Sequence, residues 1–208
     1  MKDPGMILYG APNPAPNPRR VRIFLAEKGI DLPETRIDMM KREHKSPEFR
    51  AKNTLGQVPA LELDDGTVIA ETVAICRYFD EVQPQPPMFG TTPVEKALVD
   101  MWVRRVEFTT MTPVGNFWRH AHPRTAALLT QFKDFGESNT ETFKGAQKYL
   151  DRELEGRTWL TGETYSMADI CLLTTLDFAG WIGLPLEPEH ANLKAWRDRA
   201  SARPSATA

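Results

Sequence analysis

The segment from Asn53 to Arg77 constrains the fold of this chain more than any other. A loop leads into Val58-Pro59, and a short apolar strand follows over Ala60 to Leu63. The chain turns at Asp64-Asp65-Gly66 and continues as a second strand over Thr67 to Ala70. Because Asp-Gly between two apolar or β-branched runs is typical of a tight turn, this segment predicts a β-hairpin.

A helix is predicted directly after the hairpin. Glu71-Thr72 precedes Ile75 and Phe79, whose spacing places them on one helical face. A helix N-terminus offers backbone N–H groups to an anion. The backbone of Val58, which stands before a proline that is compatible with a cis bond, can pair with an extended peptide. The segment therefore predicts a site for a small peptide that carries a carboxylate.

The elements around this segment predict an α/β domain over residues 1–82. Met6 to Gly10 has the pattern of a strand, Asn17-Pro18 begins a helix that Gly29 ends, and Thr35 to Met39 alternates like a second strand. With a helix over Ser46 to Lys52, the order becomes β-α-β-α-β-β-α. This is the thioredoxin-like order, which starts with a right-handed βαβ unit.

The remainder of the chain predicts an all-helical domain over residues 92–208. The proline-rich stretch from Val82 to Pro87 is the predicted linker. Pro113 and Gly115 predict a kink or break in the first helix of this domain. Three helix starts carry the pattern of a capping box, namely Thr92 with Glu95, Ser138 with Glu141, and Ser166 with Asp169.

Composition excludes several functional classes. The 26 basic and 28 acidic residues leave no broad charge for nucleic acid or an anionic membrane. No apolar run approaches the roughly 18–20 residues that span a bilayer, and the N-terminus lacks a secretory pattern. Cys76 and Cys171 are predicted to be buried and structural, because neither belongs to a C-x-x-C pair. The expected protein is cytoplasmic, with no metal site.

Several further motifs, in this order and spacing, resemble those of the cytosolic glutathione transferases over nearly the whole chain. They are Pro16 to Val21 before Leu25 to Ile30, Glu43 to Phe49, Trp159 to Gly162, Ser166 to Ile170, and Ala202 to Ser205. The resemblance implies a glutathione transferase fold, with a thioredoxin-like N-terminal domain and an all-α C-terminal domain. It also implies glutathione as co-substrate and a homodimer.

The resemblance assigns glutathione contacts to His44, Lys45, Gln57, Val58, Pro59, Glu71 and Thr72. Thr72, at a helix N-terminus, receives the γ-glutamyl carboxylate, and Glu71 takes the ammonium group. Both residues have a simpler interpretation as a helix cap and a first-turn acid. His44 and Lys45 face the glycyl carboxylate, unless they are solvated loop charges.

The sequence motifs identify the group that stabilises the glutathione thiolate less directly than they identify the groups that bind the carboxylates. A free thiol has a pKa of about 8.5, and lowering it by about two units requires about 2.7 kcal/mol of preferential stabilisation. Many relatives place a serine before the first helix, where this chain has Ala15. Asn17 is the predicted catalytic residue, as in nu-class transferases, and also the predicted N-cap. Tyr9 is the competing donor or a core-edge aromatic residue, and Asn13 is a third candidate.

The electrophile pocket implied by the resemblance lies between the loop before the first helix and the first long helix of the second domain. Tyr9, Asn13, Phe108, Met111 and Trp118 are its predicted lining, although aromatic and methionine stripes also form helix cores. Three activities remain open. They are transfer of glutathione to a soft hydrophobic electrophile, glutathione-dependent disulfide or peroxide reduction, and non-catalytic binding or regulation.

Overall fold

The computed structural model describes residues 5–208, which form two compact units. The first unit extends to Met88 and also includes Ser205–Ala208, whereas the second comprises Phe89–Pro204. The predicted linker therefore belongs to the first unit, and the chain returns to that unit at its last four residues.

The first unit has the predicted order of strands and helices. Its elements are β1 (Ile7–Gly10), α1 (Pro16–Lys28), β2 (Glu34–Arg36), α2 (Pro47–Lys52), β3 (Ala60–Glu62), β4 (Val68–Ala70) and α3 (Thr72–Val82). A short 3₁₀ turn, Glu43–Lys45, precedes α2. The thioredoxin-like arrangement predicted from the sequence is confirmed.

The topology of the sheet brings the ends of its strands together at one edge. The strand order is β2-β1-β3-β4, with β1 parallel to β2 and β3 antiparallel to both β1 and β4. Tyr9 pairs with Ala60, and Ala60 pairs with Ala70. The end of β1, the start of β3 and the end of β4 therefore lie side by side. The loop before α1, the Val58–Pro59 peptide and the start of α3 consequently meet at this edge.

Lys28 explains why the first unit extends beyond its predicted end. Its ammonium group is buried and lies 2.5 Å from the carboxylate of Asp80. It also donates to the carbonyl oxygens of Gln83 at 2.8 Å and Pro86 at 2.6 Å. All three protons of the ammonium group thus have acceptors. These bonds hold the proline-rich segment against the ends of α1 and α3.

The second unit is helical. Its helices are α4 (Pro93–Arg105), α5 (Thr112–His120), α6 (Lys133–Glu153), α7 (Met167–Trp181) and α8 (Ala191–Ser201). The predicted break after α4 is a π-helical segment, Val106–Met111. Pro113 lacks an N–H group and its ring crowds the carbonyl four residues earlier, so the regular α-helical bonding cannot continue through this point. Within residues 5–208 no helix is long and apolar enough to cross a membrane.

Two of the three predicted capping boxes are confirmed. Thr92 with Glu95 begins α4, and Ser166 with Asp169 begins α7. The third prediction is wrong, because Ser138 and Glu141 lie inside α6.

Tertiary packing extends α6 beyond its predicted start. A Cβ atom on Gly136 would lie 2.7 Å from the backbone nitrogen of Ala121, so the beginning of α6 packs closely against the end of α5. Asn116 of α5 donates to Asn139 of α6 at 3.1 Å. Cys76 and Cys171 are buried, as predicted.

Candidate functional site

The edge of the sheet described above brings several of the predicted site residues together. Ala15, just before α1, and Tyr9 of β1 pack against one buried cluster that includes Val58. The Val58–Pro59 peptide bond is cis. The register of β3 and β4 places Pro59 next to the connection into α3, where Glu71 and Thr72 lie. The predicted thiol, cysteinyl and γ-glutamyl positions are therefore neighbours in the first unit.

The start of α1 differs from the prediction. The N-cap is Ala15, and Asn17 is the second residue of the helix, so the prediction of Asn17 as the N-cap is wrong. Pro16 and Pro18 flank Asn17 in the first turn. Proline is favoured there because its fixed φ suits a helix start and its missing N–H would have no partner inside the helix. The N-cap consequently lies two residues earlier than predicted, at Ala15 instead of Asn17.

Asn17 supplies the donors that remain at this helix start. Pro16 and Pro18 have no N–H group, and the N–H of Ala15 donates to Pro12 at 3.2 Å. The backbone N–H and the side-chain amide of Asn17 are thus left in the first turn. Its Oδ1 is buried and has no hydrogen-bond partner among the described residues. Buried polar atoms in this situation are uncommon, and this oxygen can only accept a hydrogen bond, so the donors of Asn17 are its amide NH₂ and its backbone N–H.

The hydroxyl of Tyr9 is engaged elsewhere. It donates to the Glu62 carboxylate at 2.6 Å, which also accepts from Lys52 at 2.6 Å. Burial, and then the hydrogen bond to Glu62, raise the pKa of Tyr9. The ring lies edge-on to Phe49, with centroids 5.9 Å apart. This geometry supports the interpretation of Tyr9 as a core-edge aromatic residue rather than a thiolate donor.

The start of α3 has the features of an anion site. Glu71, immediately before the helix, has φ 68° and ψ 122°, a strained conformation for a residue with a side chain. Such strain costs about 1–3 kcal/mol and is found preferentially at functional sites. Thr72 is only 7% exposed, and its hydroxyl makes no hydrogen bond within residues 5–208. The side chain of Glu71, the N-cap residue, makes no capping bond to the first N–H groups of the helix.

Lys45 is not a solvated loop charge. Its ammonium group donates to the carbonyl oxygens of Leu55 at 3.0 Å and Gly56 at 2.6 Å. Burial, followed by the nearby Arg50 and Arg42, lowers the pKa of Lys45. Gly56 has φ +56°, and a Cβ atom there would lie 2.5 Å from the His44 carbonyl oxygen. Glycine is therefore required where the 3₁₀ turn approaches the loop before β3.

His44 presents a second buried polar atom without a partner. Its Nδ1 makes no hydrogen bond to the part of the chain that the structure describes. Burial lowers the pKa of His44, and the positive charges of Lys45, Arg42 and Arg50 lower it further. The lowered pKa favours the neutral form of the imidazole. A carboxylate bound beside it would be stabilised by the surrounding positive charges.

Asn53 is a functional candidate that the sequence interpretation missed. Its side-chain amide donates to the carbonyl of Gln57 at 2.9 Å, and its Oδ1 accepts from the N–H of Leu55 at 3.2 Å. These bonds orient the loop that ends at Val58. The side chain of Gln57 is exposed. The signal was the Asn-x-x-Gly pattern, since asparagine often bonds to the backbone two residues on.

Three of the predicted pocket residues belong to the second unit. Phe108 and Met111 lie on the π-helical segment, and Phe108 is 68% exposed. Trp118 of α5 instead packs in an aromatic group, with ring centroids 4.7 Å from His122 and 5.6 Å from Trp181. Its side chain is thus engaged within the helical unit.

These features define a class of protein. A thioredoxin-like sheet with a cis-proline strand, two helix N-termini and a cationic 3₁₀ turn at one edge is suited to an extended peptide with a carboxylate at each end. The amide and N–H of Asn17 add donors for an anion such as a thiolate. The first unit therefore has the features of a domain that binds an extended peptide with carboxylates, and a helical unit follows it in the chain.

Comparison with known proteins identifies the family. Residues 15–82 match the model of the glutathione S-transferase N-terminal domain, and residues 128–204 match that of the C-terminal domain. Glutathione S-transferase 2 of Saccharomyces cerevisiae is 41% identical over 204 residues, which cover 96% of this chain and 87% of that protein. The chain belongs to the glutathione S-transferases.

Solved structures agree with this assignment. The structure of Gtt2 from Saccharomyces cerevisiae has a TM-score of 0.90 at 39% identity and covers 97% of this chain and 98% of its own. A glutathione S-transferase domain-containing protein from Marinobacter aquaeolei has a TM-score of 0.90 at 37% identity, covering 96% and 98%. The glutathione transferase fold, with its thioredoxin-like and all-helical parts, is confirmed.

Proposed function

We propose that this transferase conjugates the thiolate of glutathione to a small, soft, hydrophobic electrophile. The observation that carries the proposal is that the start of α1, which holds Asn17, the Val58–Pro59 peptide and the start of α3, which holds Thr72, lie at one edge of the sheet. Each group supplies what one part of glutathione requires. In the reaction the thiol proton is lost to solvent, and a sulfur–carbon bond forms as the leaving group departs or as an activated double bond takes the charge.

The γ-glutamyl and glycyl ends of glutathione each have a proposed binding position on the first unit. The hydroxyl and N–H of Thr72, at the positive end of the α3 dipole, bind the γ-glutamyl carboxylate, and Glu71 takes the ammonium group. The Val58 backbone pairs with the cysteinyl residue, and the exposed Gln57 side chain contacts the same part. His44, beside the charge of Lys45, takes the glycyl carboxylate.

The thiol lies at the start of α1 in this arrangement. Donors there stabilise the thiolate selectively, because a hydrogen bond to a charged group is stronger than one to the neutral thiol. Asn17 takes the role that serine has in many relatives, since Ala15 cannot donate. The proposed setting is detoxification in the cytoplasm.

Thiolate absorbance provides the test. Glutathione bound to the protein should titrate clearly below its free pKa of about 8.5, and an aromatic halide or activated alkene should be conjugated. A normal pKa without conjugation would indicate a non-catalytic binding protein. A depressed pKa with reduction of a disulfide or peroxide, and no conjugation, would identify a glutathione-dependent reductase. In that reaction a second glutathione supplies the other thiol.

Thr72→Ala is expected to weaken glutathione binding by about 1–3 kcal/mol, because a carboxylate loses a hydrogen bond. Calorimetry measures the change. Thr67→Ala is the matched control, since Thr67 is exposed at the opposite end of β4 and its variant should bind like wild type. An affinity that Thr72→Ala leaves unchanged would contradict the γ-glutamyl position proposed here.

A homodimer is also proposed. Val94 and Leu98, one turn apart on α4, are 68% and 39% exposed, which leaves an apolar strip for a second copy of the chain. Sedimentation at micromolar concentration should give about twice the 23.5 kDa monomer mass. A Val94→Glu and Leu98→Glu double variant should shift toward the monomer. Leu128→Glu, which alters another exposed apolar residue, should not. A monomeric wild-type protein would contradict the proposal.

A further inference from the structure

Arg22 of α1 forms a bridge to the loop that precedes the same helix. Its Nη1 donates to the carbonyl oxygen of Ala11 at 3.0 Å, and its Nη2 donates to the side-chain oxygen of Asn13 at 2.5 Å. The side chain of Arg22 is 18% exposed, and its bond to Ala11 is partly shielded from water, whereas its bond to Asn13 is exposed. One guanidinium group thus holds two points of the loop that leads to Ala15 and Asn17.

A carboxylate from the neighbouring strand fixes this guanidinium. Glu34 of β2 lies 3.0 Å from Nη1 of Arg22 and is shielded to the same degree. A Cβ atom on Gly10, the last residue of β1, would lie 2.1 Å from Oε1 of Glu34. The absence of a side chain at Gly10 therefore leaves room for the Glu34 carboxylate. Gly10, Glu34 and Arg22 together form what we call the loop clamp.

The loop needs this support because it has few bonds of its own. Pro12, Asn13 and Pro14 are exposed, and a bond from the N–H of Ala15 to Pro12 at 3.2 Å spans the turn. The planar fork of arginine suits the task, since it can donate in several fixed directions at once. A lysine at position 22 would retain the charge but reach fewer of these acceptors.

We propose that Arg22 is a positioning residue for thiolate formation, acting through the loop clamp on the start of α1 and so on Asn17. This inference rests on the proposed function. The clamp sets where the α1 donors lie relative to the sulfur, whereas the two carboxylate ends of glutathione bind elsewhere on the first unit. A displacement of about 1 Å in a catalytic group can lower a rate by up to about 100-fold. Loss of the clamp therefore impairs the thiolate more than it impairs binding.

The test compares wild type with Arg22→Met, Arg22→Lys and Arg36→Met. Three quantities are measured: the pKa of the bound glutathione thiol, the turnover of an aromatic halide, and the affinity for S-methylglutathione, which has no free thiol. We expect Arg22→Met to raise the bound thiol pKa by about one unit and to lower kcat about tenfold. Its affinity for S-methylglutathione should stay at the wild-type level. Arg22→Lys should restore part of both losses.

Arg36→Met is the charge control, because Arg36 is exposed on β2 and should behave like wild type. Gly10→Ala is a second variant that disrupts the loop clamp, since its Cβ would displace the Glu34 carboxylate. This variant should raise the thiol pKa in the same direction even if Arg22→Met fails to fold.

Two results would overturn the inference. One is a folded Arg22→Met or Gly10→Ala variant whose thiol pKa and kcat match those of wild type. The other is a parallel loss of S-methylglutathione affinity, which would indicate a general structural role. A wild-type protein that binds glutathione with a normal thiol pKa would instead reject the proposed function, and the inference with it.

Discussion

Replacing Asn17 with alanine is expected to raise the pKa of the bound glutathione thiol by about 1–2 units and to lower turnover near neutral pH by about 10- to 100-fold. A hydrogen bond to a charged group contributes about 1.5–3 kcal/mol, and each pKa unit corresponds to about 1.36 kcal/mol. Pro16 and Pro18 have no N–H groups to substitute for the lost amide. The measurement is the thiolate absorbance of the bound peptide across a pH titration.

The stability of this variant should change little. Because Ala15 is the N-cap, the alanine at position 17 removes no capping bond, and it deletes a buried oxygen that lacks a partner. Melting curves should therefore overlap those of wild type. Asn17→Asp is a matched variant of the same size. It replaces the donor with a negative charge, so it should raise the thiol pKa further than alanine does.

Tyr9→Phe completes the comparison. The Tyr9 hydroxyl donates to Glu62, so its loss should affect the packing around Lys52 and leave the bound thiol pKa unchanged. If Tyr9→Phe loses turnover while Asn17→Ala retains it, the enzyme is of the tyrosine type. If neither change has an effect, the thiolate is stabilised by backbone N–H groups, or the protein is not a catalyst.

The largest loss of stability is expected from Asp169→Ala in the helical unit. The Asp169 carboxylate is fully buried and accepts four hydrogen bonds. They come from the N–H of Leu160 at 3.0 Å, the Trp196 indole at 2.9 Å, the Ser166 N–H at 3.0 Å and the Ser166 hydroxyl at 3.1 Å. Burial raises the pKa of Asp169 to about 6 although these bonds lower it, so the group is ionised at neutral pH.

Alanine at position 169 would leave buried donors unpaired and abolish the capping box of α7. Each unpaired donor costs about 1–3 kcal/mol, so we expect a loss of about 4 kcal/mol in the free energy of unfolding. Asparagine retains one acceptor oxygen, and the Ser166 hydroxyl can turn to accept from its amide. Asp169→Asn should therefore lose about half as much. Chemical denaturation followed by circular dichroism gives both values.

Asp198→Ala is the surface control for this series. Asp198 pairs with Lys194 at 2.7 Å on the exposed side of α8. An exposed pair of this kind contributes about 0.3–0.5 kcal/mol, so its loss should change the midpoint of the unfolding transition very little. If Asp169→Ala were as stable as Asp198→Ala, the buried bonds of Asp169 would not support the fold in the way described.

Local signals accounted for most of the correct predictions about the fold. The hairpin at Asp65-Gly66 and the capping boxes at Thr92 and Ser166 depend on residues that are close in sequence. The same holds for the break before Pro113 and for the order of elements in the first unit. The helix starts at Asn17 and Ser138 were predicted wrongly. At the first, proline at the first helical position and an alanine cap replaced the expected asparagine cap. At the second, packing against α5 extended α6 toward its N-terminus.

The predictions about the candidate site also depended on whether the signal was local in sequence. The sequence indicated which residues to examine, including Thr72, Val58 and Asn17, because their motifs are local. It did not show that the Tyr9 hydroxyl is bonded to Glu62, that Lys45 reaches the Gly56 carbonyl, or that Arg22 holds the loop before its own helix.

By itself, the sequence determined the family, the order of strands and helices, and the stretch around the hairpin that is proposed to bind glutathione. The tertiary structure decided where α1 and α6 begin, that the first unit extends to Met88, and which donors remain unengaged at the edge of the sheet. The physical reason is the range of the interactions. Caps and turns depend on a few consecutive residues, whereas a buried ammonium group or an engaged hydroxyl depends on partners tens of residues away, whose proximity exists only after folding.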